Sequence, residues 1–284
     1  MAVVLVHGGV TGIARASRPS LRRVPFTPSP GGASALDLVE AAVRALEDDP
    51  SLNAGFGSVL NQQGEIELDA GIADGSTGRW AGVAGVRVRH PVSLARRVLE
   101  TTPHVLMAGA GAMAVAPDLE VLAATSARQR RRWLAARRAG ELGVEGFGDP
   151  EHVDTVGAVA LDEAGYVAAA SSTGGVFGKL PGRVGDAPIF GAGLFVSPRV
   201  AVVGTGVGEL FLQTLAAARV GSLVEEGLDP QAACRAAIDH LGTVAAAPAG
   251  LLAVDVEGRA GAAFRGASWA VEGAGGPLEP VRLP

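Results

Sequence analysis

Cysteine, lysine, asparagine and tyrosine are almost missing from this chain, and each scarcity closes off a class of function or fold. Cys234 is the single cysteine, so no internal disulfide can form, and its neighbours Ala232, Ala233, Ala236 and Ala237 mark a helix packing position, not a nucleophile. No cysteine cluster joins His7, His90, His104, His152 and His240, which are scattered without ligand spacing, so zinc is not expected. Lys179 is the only lysine among otherwise arginine cations, and Asn53 and Asn61 are the only asparagines. Hyperthermophiles enrich lysine and glutamate, so a GC-rich genome explains this bias better than a hot habitat. Aromatic residues make up 4% of the chain against 41 glycines, which predicts an interior of closely packed backbone and small apolar side chains.

Other absences are just as informative. A net charge of -5 gives no general attraction to nucleic acid or to an anionic membrane, so neither is an expected partner. No stretch from Met1 onward has the features of a signal peptide, and none is long enough to span a bilayer; the cytoplasm is the expected location. No Gly-X-Ser-X-Gly elbow appears, which leaves a Ser/His/Asp hydrolase unsupported. No Pro/Ser linker divides the 284 residues, so one domain over 1–284 is expected.

The pattern along the chain is strands, then helices, then strands again. Residues 2–6 read as a buried strand delivering a glycine turn at His7-Gly8-Gly9, and residues 15–30 as irregular. Ser34 precedes a helix over 35–46, where Leu36, Val39, Val43 and Leu46 recur at helical spacing. A glycine-rich loop, Asn53-Ala54-Gly55-Phe56-Gly57-Ser58, leads to a predicted hairpin of 59–61 and 66–72 around Gln62-Gln63-Gly64, then a strand over 80–88. Helices are predicted over 92–99, 105–115 and 119–139. The last ends in an arginine run, Arg128, Arg130, Arg131, Arg132, Arg137 and Arg138. Without an aromatic ladder that run reads as a solvated helix end leading into a mobile linker, about 128–154, where a chain tolerates cutting. Strands over 155–161 and 166–172 flank the turn Asp162-Glu163-Ala164-Gly165. A strand over 200–203, helices over 210–218 and 230–241, and strands over 251–256 and 260–264 complete an α+β pattern of stacked sheets covered by helices.

Asp154-Thr155-Val156-Gly157 is where chemistry concentrates, because Thr155 opens a strand directly after the linker. A threonine hydroxyl is a weak nucleophile and needs a base; cleavage before it would free an α-amine, pKa about 7.7 to 8.0, on the same residue. Thr173-Gly174-Gly175 and Thr205-Gly206-Val207-Gly208-Glu209 also stand at strand ends, where glycine lets backbone N–H groups approach an oxyanion or simply makes a turn. Arg183 and Asp186, three residues apart, are suited to the carboxylate and ammonium of an amino acid, or to each other. Two glycine patterns, at 109–114 and 204–208, imitate a dinucleotide turn; the first lacks a clear preceding strand and the second lacks the next strand and its acid. A nucleotide-binding oxidoreductase is therefore the alternative from a different class.

These blocks, in this order, resemble the plant-type L-asparaginase and isoaspartyl peptidase family of N-terminal nucleophile hydrolases. The matching residues are His7-Gly8-Gly9, 46–50 with 53–58, Leu68-Asp69-Ala70 with Asp74-Gly75, 154–161, Ser172-Thr173-Gly174-Gly175, 182–188 and 205–209. The resemblance implies an αββα four-layer sandwich, self-cleavage between Asp154 and Thr155 into subunits 1–154 and 155–284, and a homodimer of cleaved protomers. It implies that Thr155 attacks the side-chain amide of L-asparagine or the isopeptide bond of a β-aspartyl dipeptide. By the same resemblance Thr205 and Gly206 stabilise the oxyanion, Thr173 positions the nucleophile, Asn53 lies beside it, Arg183 binds the α-carboxylate, and Asp186 with Gly208 holds the α-amino group. No cofactor is required. A structural sodium is implied on backbone carbonyls of Leu46, Glu47, Asp49, Leu52, Ala54 and Phe56.

Three departures bear on substrate preference. Ala187 stands where the family often has Ser, Ala73 where it usually has Met, and residues 264–268 depart from its Thr- and Met-containing strand. Gly178-Lys179-Leu180-Pro181-Gly182 leans toward the glycosylasparaginases, which remain the near alternative; an uncleaved, inactive relative is the third.

Overall fold

The computed structural model describes residues 2–11, 32–142, 155–273 and 276–283; Asp154 and the segment 15–30 lie outside them. Local chemistry accounts for the first helix, α1 (Ala35–Glu47). Ser34 Oγ accepts from Asp37 N at 3.2 Å while the Asp37 carboxylate accepts from Ser34 N at 3.2 Å, a capping box of the kind worth about 1 kcal/mol. Leu38, Val39, Ala42, Val43 and Leu46 then form its buried face.

The strands β1 (Val3–Thr11), β2 (Leu68–Asp74), β3 (Arg79–Val86), β4 (Leu106–Ala108), β5 (Val156–Leu161) and β6 (Val167–Thr173) join two late strands in one eight-stranded sheet. Its order is β12-β11-β1-β5-β6-β2-β3-β4, where β11 is Ser268–Gly273 and β12 is Gly276–Pro277. The second sheet has five strands: β7 (Leu194–Val196), β8 (Val200–Gly206), β9 (Ala249–Asp255), β10 (Ala260–Arg265) and β13 (Val281–Leu283). Both sheets are mixed, with β3 parallel to β4 and β10 parallel to β13 among antiparallel pairs. Helix α1 packs on β5 and β6, and α2 (Pro91–Thr101) packs on β2 and β3. On the smaller sheet, α6 (Ala216–Glu225) covers β7 and β8, and α7 (Pro230–Val244) covers β9 and β10. Strands β5 and β6 meet β8 between the sheets, where Leu5, Val159, Val203, Leu252 and Trp269 share one apolar cluster. Cys234 is buried on α7, as its alanine setting predicted.

Glycine substitutes for absent aromatic bulk by letting the few rings sit directly on backbone. A Cβ at Gly204 or at Gly206 would come within 2.4 Å of the Phe211 ring. At Gly221 it would lie 2.2 Å from Phe195, so even an alanine would press on a ring at these positions.

Several sequence expectations need correction. Strand β1 does not end in a glycine turn; it runs through His7-Gly8-Gly9 to Thr11 with a bulge between His7 and Val10, because β5 and β11 pair with it on both sides. The hairpin of 59–61 with 66–72 is not formed. Residues 68–74 pair with β3 and β6, while Leu60 O accepts from Gly178 N at 2.9 Å and Asn61 O from Trp133 Nε1 at 2.9 Å. The helix over 105–115 is an edge strand, β4, followed by a single turn, α3 (Gly109–Met113), that begins at Gly109 with φ +57°. The helix over 119–139 begins only at Ala127, as α4 (Ala127–Ala139), since Leu122 O and Ala123 O are taken by the Arg87 guanidinium. Residues 128–139 therefore belong to a helix and not to a linker; α4 stops at Gly140 in the left-handed conformation, and 143–154 lie outside the described residues. The helix over 210–218 is broken into α5 (Gly208–Thr214) and α6 by half-exposed Leu215 at φ 48°. Such a conformation strains a non-glycine residue.

Candidate active site

Thr155 is buried immediately before β5, and Val156 pairs with Ser172 across the β5–β6 ladder, so Thr173 at the end of β6 comes beside it. Thr155 Oγ1 donates to Thr173 Oγ1 at 3.1 Å, and Thr173 Oγ1 in turn accepts from Gly175 N at 3.0 Å. That backbone N–H fixes the Thr173 hydroxyl, which leaves Thr155 Oγ1 oriented. No histidine or carboxylate bonds to Thr155 Oγ1 among the described residues. His7, opposite Gly157 in the β1–β5 register, is fully buried, and burial pushes its imidazole down to about 3. The Thr155 backbone opposes that shift, yet neither ring nitrogen meets an acceptable hydrogen-bond geometry among the described residues, so a neutral ring packing near Trp269 is its state. Among the described residues no neighbouring side chain is placed to serve Thr155 as a base.

Asn53 reaches the threonines through backbone. Its Nδ2 donates to Gly175 O at 2.7 Å, its Oδ1 accepts from Val59 N at 2.9 Å, and its carbonyl accepts from Gly174 N at 2.9 Å. A Cβ at Gly174 would stand 2.4 Å from Asn53 Oδ1, which is why glycine follows Thr173.

Arg183 and Asp186 lie at the same end of the sheets. Arg183 Nη1 is 3.3 Å from where a Gly175 Cβ would be, and a Cβ at Gly208 would meet Arg183 Nη2 at 2.8 Å and Asp186 Oδ1 at 2.9 Å. Gly208 follows Thr205 and Gly206, the last residues of β8, so the oxyanion candidates and the clamp share one region. Sequence reading weighed an Arg183–Asp186 pair and missed Glu209, which accepts from Arg183 Nε and Nη2 at 2.9 Å each. The available signal was an acid in the first turn of a helix starting at the motif's last glycine.

Among the buried polar atoms with no partner among the described residues are Thr205 Oγ1 and Asp186 Oδ2, with Ser58 Oγ beside Gly174. Folded proteins seldom leave such atoms unmatched, and a site waiting for a ligand is the ordinary exception. Burial pushes the Asp186 carboxyl up to about 6, with Arg183 pulling it back and Glu209 and Asp69 adding to the rise.

The loop over 46–56 offers carbonyls and little else. Leu46 O, Asp49 O and Ala54 O accept from Asp49 N, Leu52 N and Gly57 N at 3.2, 3.2 and 3.0 Å, and Phe56 O accepts from Ser126 N at 2.9 Å. A Cβ at Gly57 would come 2.0 Å from Leu52 O and 2.7 Å from Asp49 O, and one at Gly55 would come 2.5 Å from Glu47 O, so these oxygens turn onto the glycines. No cluster of three His, Cys, Asp or Glu side chains suits a metal among the described residues. The Glu47 carboxylate is occupied elsewhere, accepting from Ser172 Oγ at 2.7 Å and Val92 N at 3.1 Å. Carbonyl oxygens are a donor set that fits a hard cation, although Phe56 O accepts a second bond, from Thr125 Oγ1 at 3.2 Å.

The arginine run is partly structural. Arg132 stacks 3.7 Å from the Phe177 ring, Arg128 donates to Ser51 O at 3.2 Å, and Gln129 Nε2 donates to Gly57 O at 3.2 Å, so α4 buttresses the loop that carries Asn53. Of the dinucleotide look-alikes, Gly109 does follow a strand, β4, but opens a helix of only five residues. At the other, Gly208 is packed by Arg183 and Asp186 where phosphate would have to approach.

The threonine pair and the nearby Arg183 and Asp186 accord with the outcome of sequence comparison: residues 26–275 match the family model described as Asparaginase, and the chain belongs to that family. It is 43% identical over 291 residues to a Salmonella typhimurium protein named isoaspartyl peptidase, covering 93% of this chain and 92% of that one. A Pyrobaculum calidifontis protein named plant-type L-asparaginase is 40% identical over 280 residues, 91% of this chain and 92% of its own length. A mouse protein named isoaspartyl peptidase/L-asparaginase is 38% identical over 269 residues, covering 90% of this chain and 82% of that protein. No helix among the described residues is long and apolar enough to cross a membrane.

Proposed function

We propose that this chain is an amidohydrolase that releases L-aspartate from L-asparagine or from β-aspartyl dipeptides, using Thr155 as a nucleophile freed by self-cleavage after Asp154. The observation that carries this is the Thr155–Thr173 hydroxyl pair at 3.1 Å; Thr205 Oγ1 and Asp186 Oδ2, buried and unmatched among the described residues, are atoms of the kind a bound amino acid would satisfy. In self-cleavage Thr155 Oγ1 attacks the Asp154 carbonyl carbon, the peptide C–N bond breaks as an ester forms and the Thr155 α-amine is freed, and water hydrolyses the ester to the Asp154 carboxylate and the Thr155 hydroxyl. That amine then takes the proton as Thr155 Oγ1 attacks the side-chain amide carbon of the substrate. Thr205 Oγ1 and Gly206 N–H bind the resulting oxyanion. The protonated amine hands its proton to the departing ammonia or peptide amine, and water attacks the acyl-enzyme to free aspartate and Thr155.

Arg183 binds the α-carboxylate, which displaces or shares the guanidinium now held by Glu209, and Asp186 with Gly208 receives the α-ammonium. The helix and sheet contacts support a four-layer αββα sandwich, with the site at one end of the two sheets. The carbonyls of the 46–56 loop would hold a sodium ion, whose contribution is to rigidify the backbone leading to Asn53. A homodimer of cleaved protomers completes the proposal. Rates on L-asparagine, β-Asp-Leu and a glycosylated asparagine test it directly. Turnover of the first two is expected; a preference for the glycosylated substrate would favour glycosylasparaginase, and turnover of none would favour an inactive relative.

Asp186 gives this function a pH signature. With its pKa raised to about 6, the carboxyl is neutral below that value and loses its attraction for the substrate ammonium. KM is expected to rise roughly tenfold per pH unit below about 6, with Asp186→Asn flattening the dependence. Steady-state kinetics between about pH 5 and 8 check this. Unfolding is not the cause expected from this group: a carboxyl whose native pKa is raised destabilises the fold above that pKa, and protonation relieves it.

A further inference from the structure

Below the clamp lies a buried charge cluster to which the proposed chemistry gives no part. Lys179, the chain's only lysine, is 1% exposed, and Asp69 is fully buried. Lys179 Nζ donates to Glu67 O at 2.9 Å, and Gly182 N donates to Glu67 Oε1 at 2.9 Å. Asp69 Oδ1 accepts from Gly85 N at 2.9 Å and its Oδ2 accepts from Gly185 N at 3.4 Å. The turn carrying Arg183 and Asp186 thus hangs at Gly182 and Gly185 from two acidic residues at i and i+2, which point to one face of the chain at the start of β2. Burial pushes the lysine amine down and the Asp69 carboxyl up, and each opposes the shift of the other. A Gly175 Cβ would lie 3.0 Å from Lys179 Nζ, which sets the ammonium against the backbone whose N–H orients Thr173.

We propose that Asp69 and Lys179 are positioning residues: buried, oppositely charged groups, Asp69 bonded to the 182–185 turn and Lys179 to the backbone of Glu67 that holds it, which fix this turn and so set how tightly Arg183 and Asp186 grip the substrate's α-carboxylate and α-ammonium. Neither touches substrate. Removing one charge unbalances a cluster that also holds Glu67 beside Lys179 and Arg183 beside Asp69, which displaces the turn; removing both restores the balance. The inference rests on the amidohydrolase function proposed above.

Steady-state kinetics of the full chain after self-cleavage, with L-asparagine and β-Asp-Leu, test it using Lys179→Met, Asp69→Asn and the double variant. Each single variant is expected to raise KM roughly tenfold with kcat within about threefold, and the double variant to rise by less than the product of the singles. The thermal shift induced by added L-aspartate should weaken in the same order. A purely structural role would instead lower the cleaved fraction and the melting temperature while leaving KM unchanged in the enzyme that survives. KM within twofold of wild type in both singles, or strictly multiplicative effects in the double, would overturn the pair. Should Lys179→Met not fold, Glu67→Gln keeps the acceptor for Gly182 N but removes charge from the same cluster, and its KM decides in the same way. Wild-type enzyme inert on both substrates would refute the proposed function itself, an outcome distinct from active wild type with unaltered variants.

Discussion

Thr155→Ala is expected to leave the chain uncut and to lower kcat/KM for L-asparagine by about 10³-fold or more, since nucleophile and base are lost together. The expectation follows from isolation. Thr155 Oγ1 bonds to another hydroxyl, Thr173 Oγ1 at 3.1 Å, and the nearby imidazole of His7 is held neutral by its burial. Two threonine hydroxyls in series do not make a base. Thr155→Ser should retain cleavage and a measurable fraction of the rate, because it keeps the hydroxyl and would gain the same terminal amine. Denaturing electrophoresis alongside ammonia release distinguishes the two variants.

Thr205→Val should separate stability from catalysis. Thr205 is fully buried at the end of β8, and its Oγ1 has no partner among the described residues. In the resting fold that hydroxyl is a burden, since an unmatched buried polar group is unfavourable by about 1–3 kcal/mol. Valine keeps the shape without the oxygen, so the melting temperature is expected to hold or rise. The rate should nevertheless fall about 10²- to 10³-fold in kcat, the usual effect of deleting an oxyanion donor. Thermal unfolding and kcat measured on one preparation check both halves. A variant that loses stability and rate together would assign Thr205 to packing.

Much of the site was legible because strand-end threonines followed by glycine are local signals. Thr155, Thr173 and Thr205 each sit at a strand boundary, and the glycines after two of them are required by close approach, to Asn53 at Gly174 and to Phe211 at Gly206. Helices with a clear apolar face, α1, α2 and α7, were also legible from spacing. What stayed hidden depends on partners distant in sequence. Glu209 lies 26 residues from Arg183, and Asp69 lies 116 from Gly185, so neither pairing leaves a periodic trace. Edge strand β4 was read as helix because the exposed, alanine- and glycine-rich stretch around it carries no strand alternation. Leu215 hid a helix break, since nothing about leucine announces a left-handed residue.

The central claim is that Thr155 becomes a chain terminus before it acts. N-terminal sequencing of the smaller band from active protein, run on a denaturing gel, addresses it most directly. The expected sequence begins Thr155-Val156-Gly157 in a preparation that hydrolyses asparagine or β-Asp-Leu. A single intact chain with undiminished hydrolysis would contradict it.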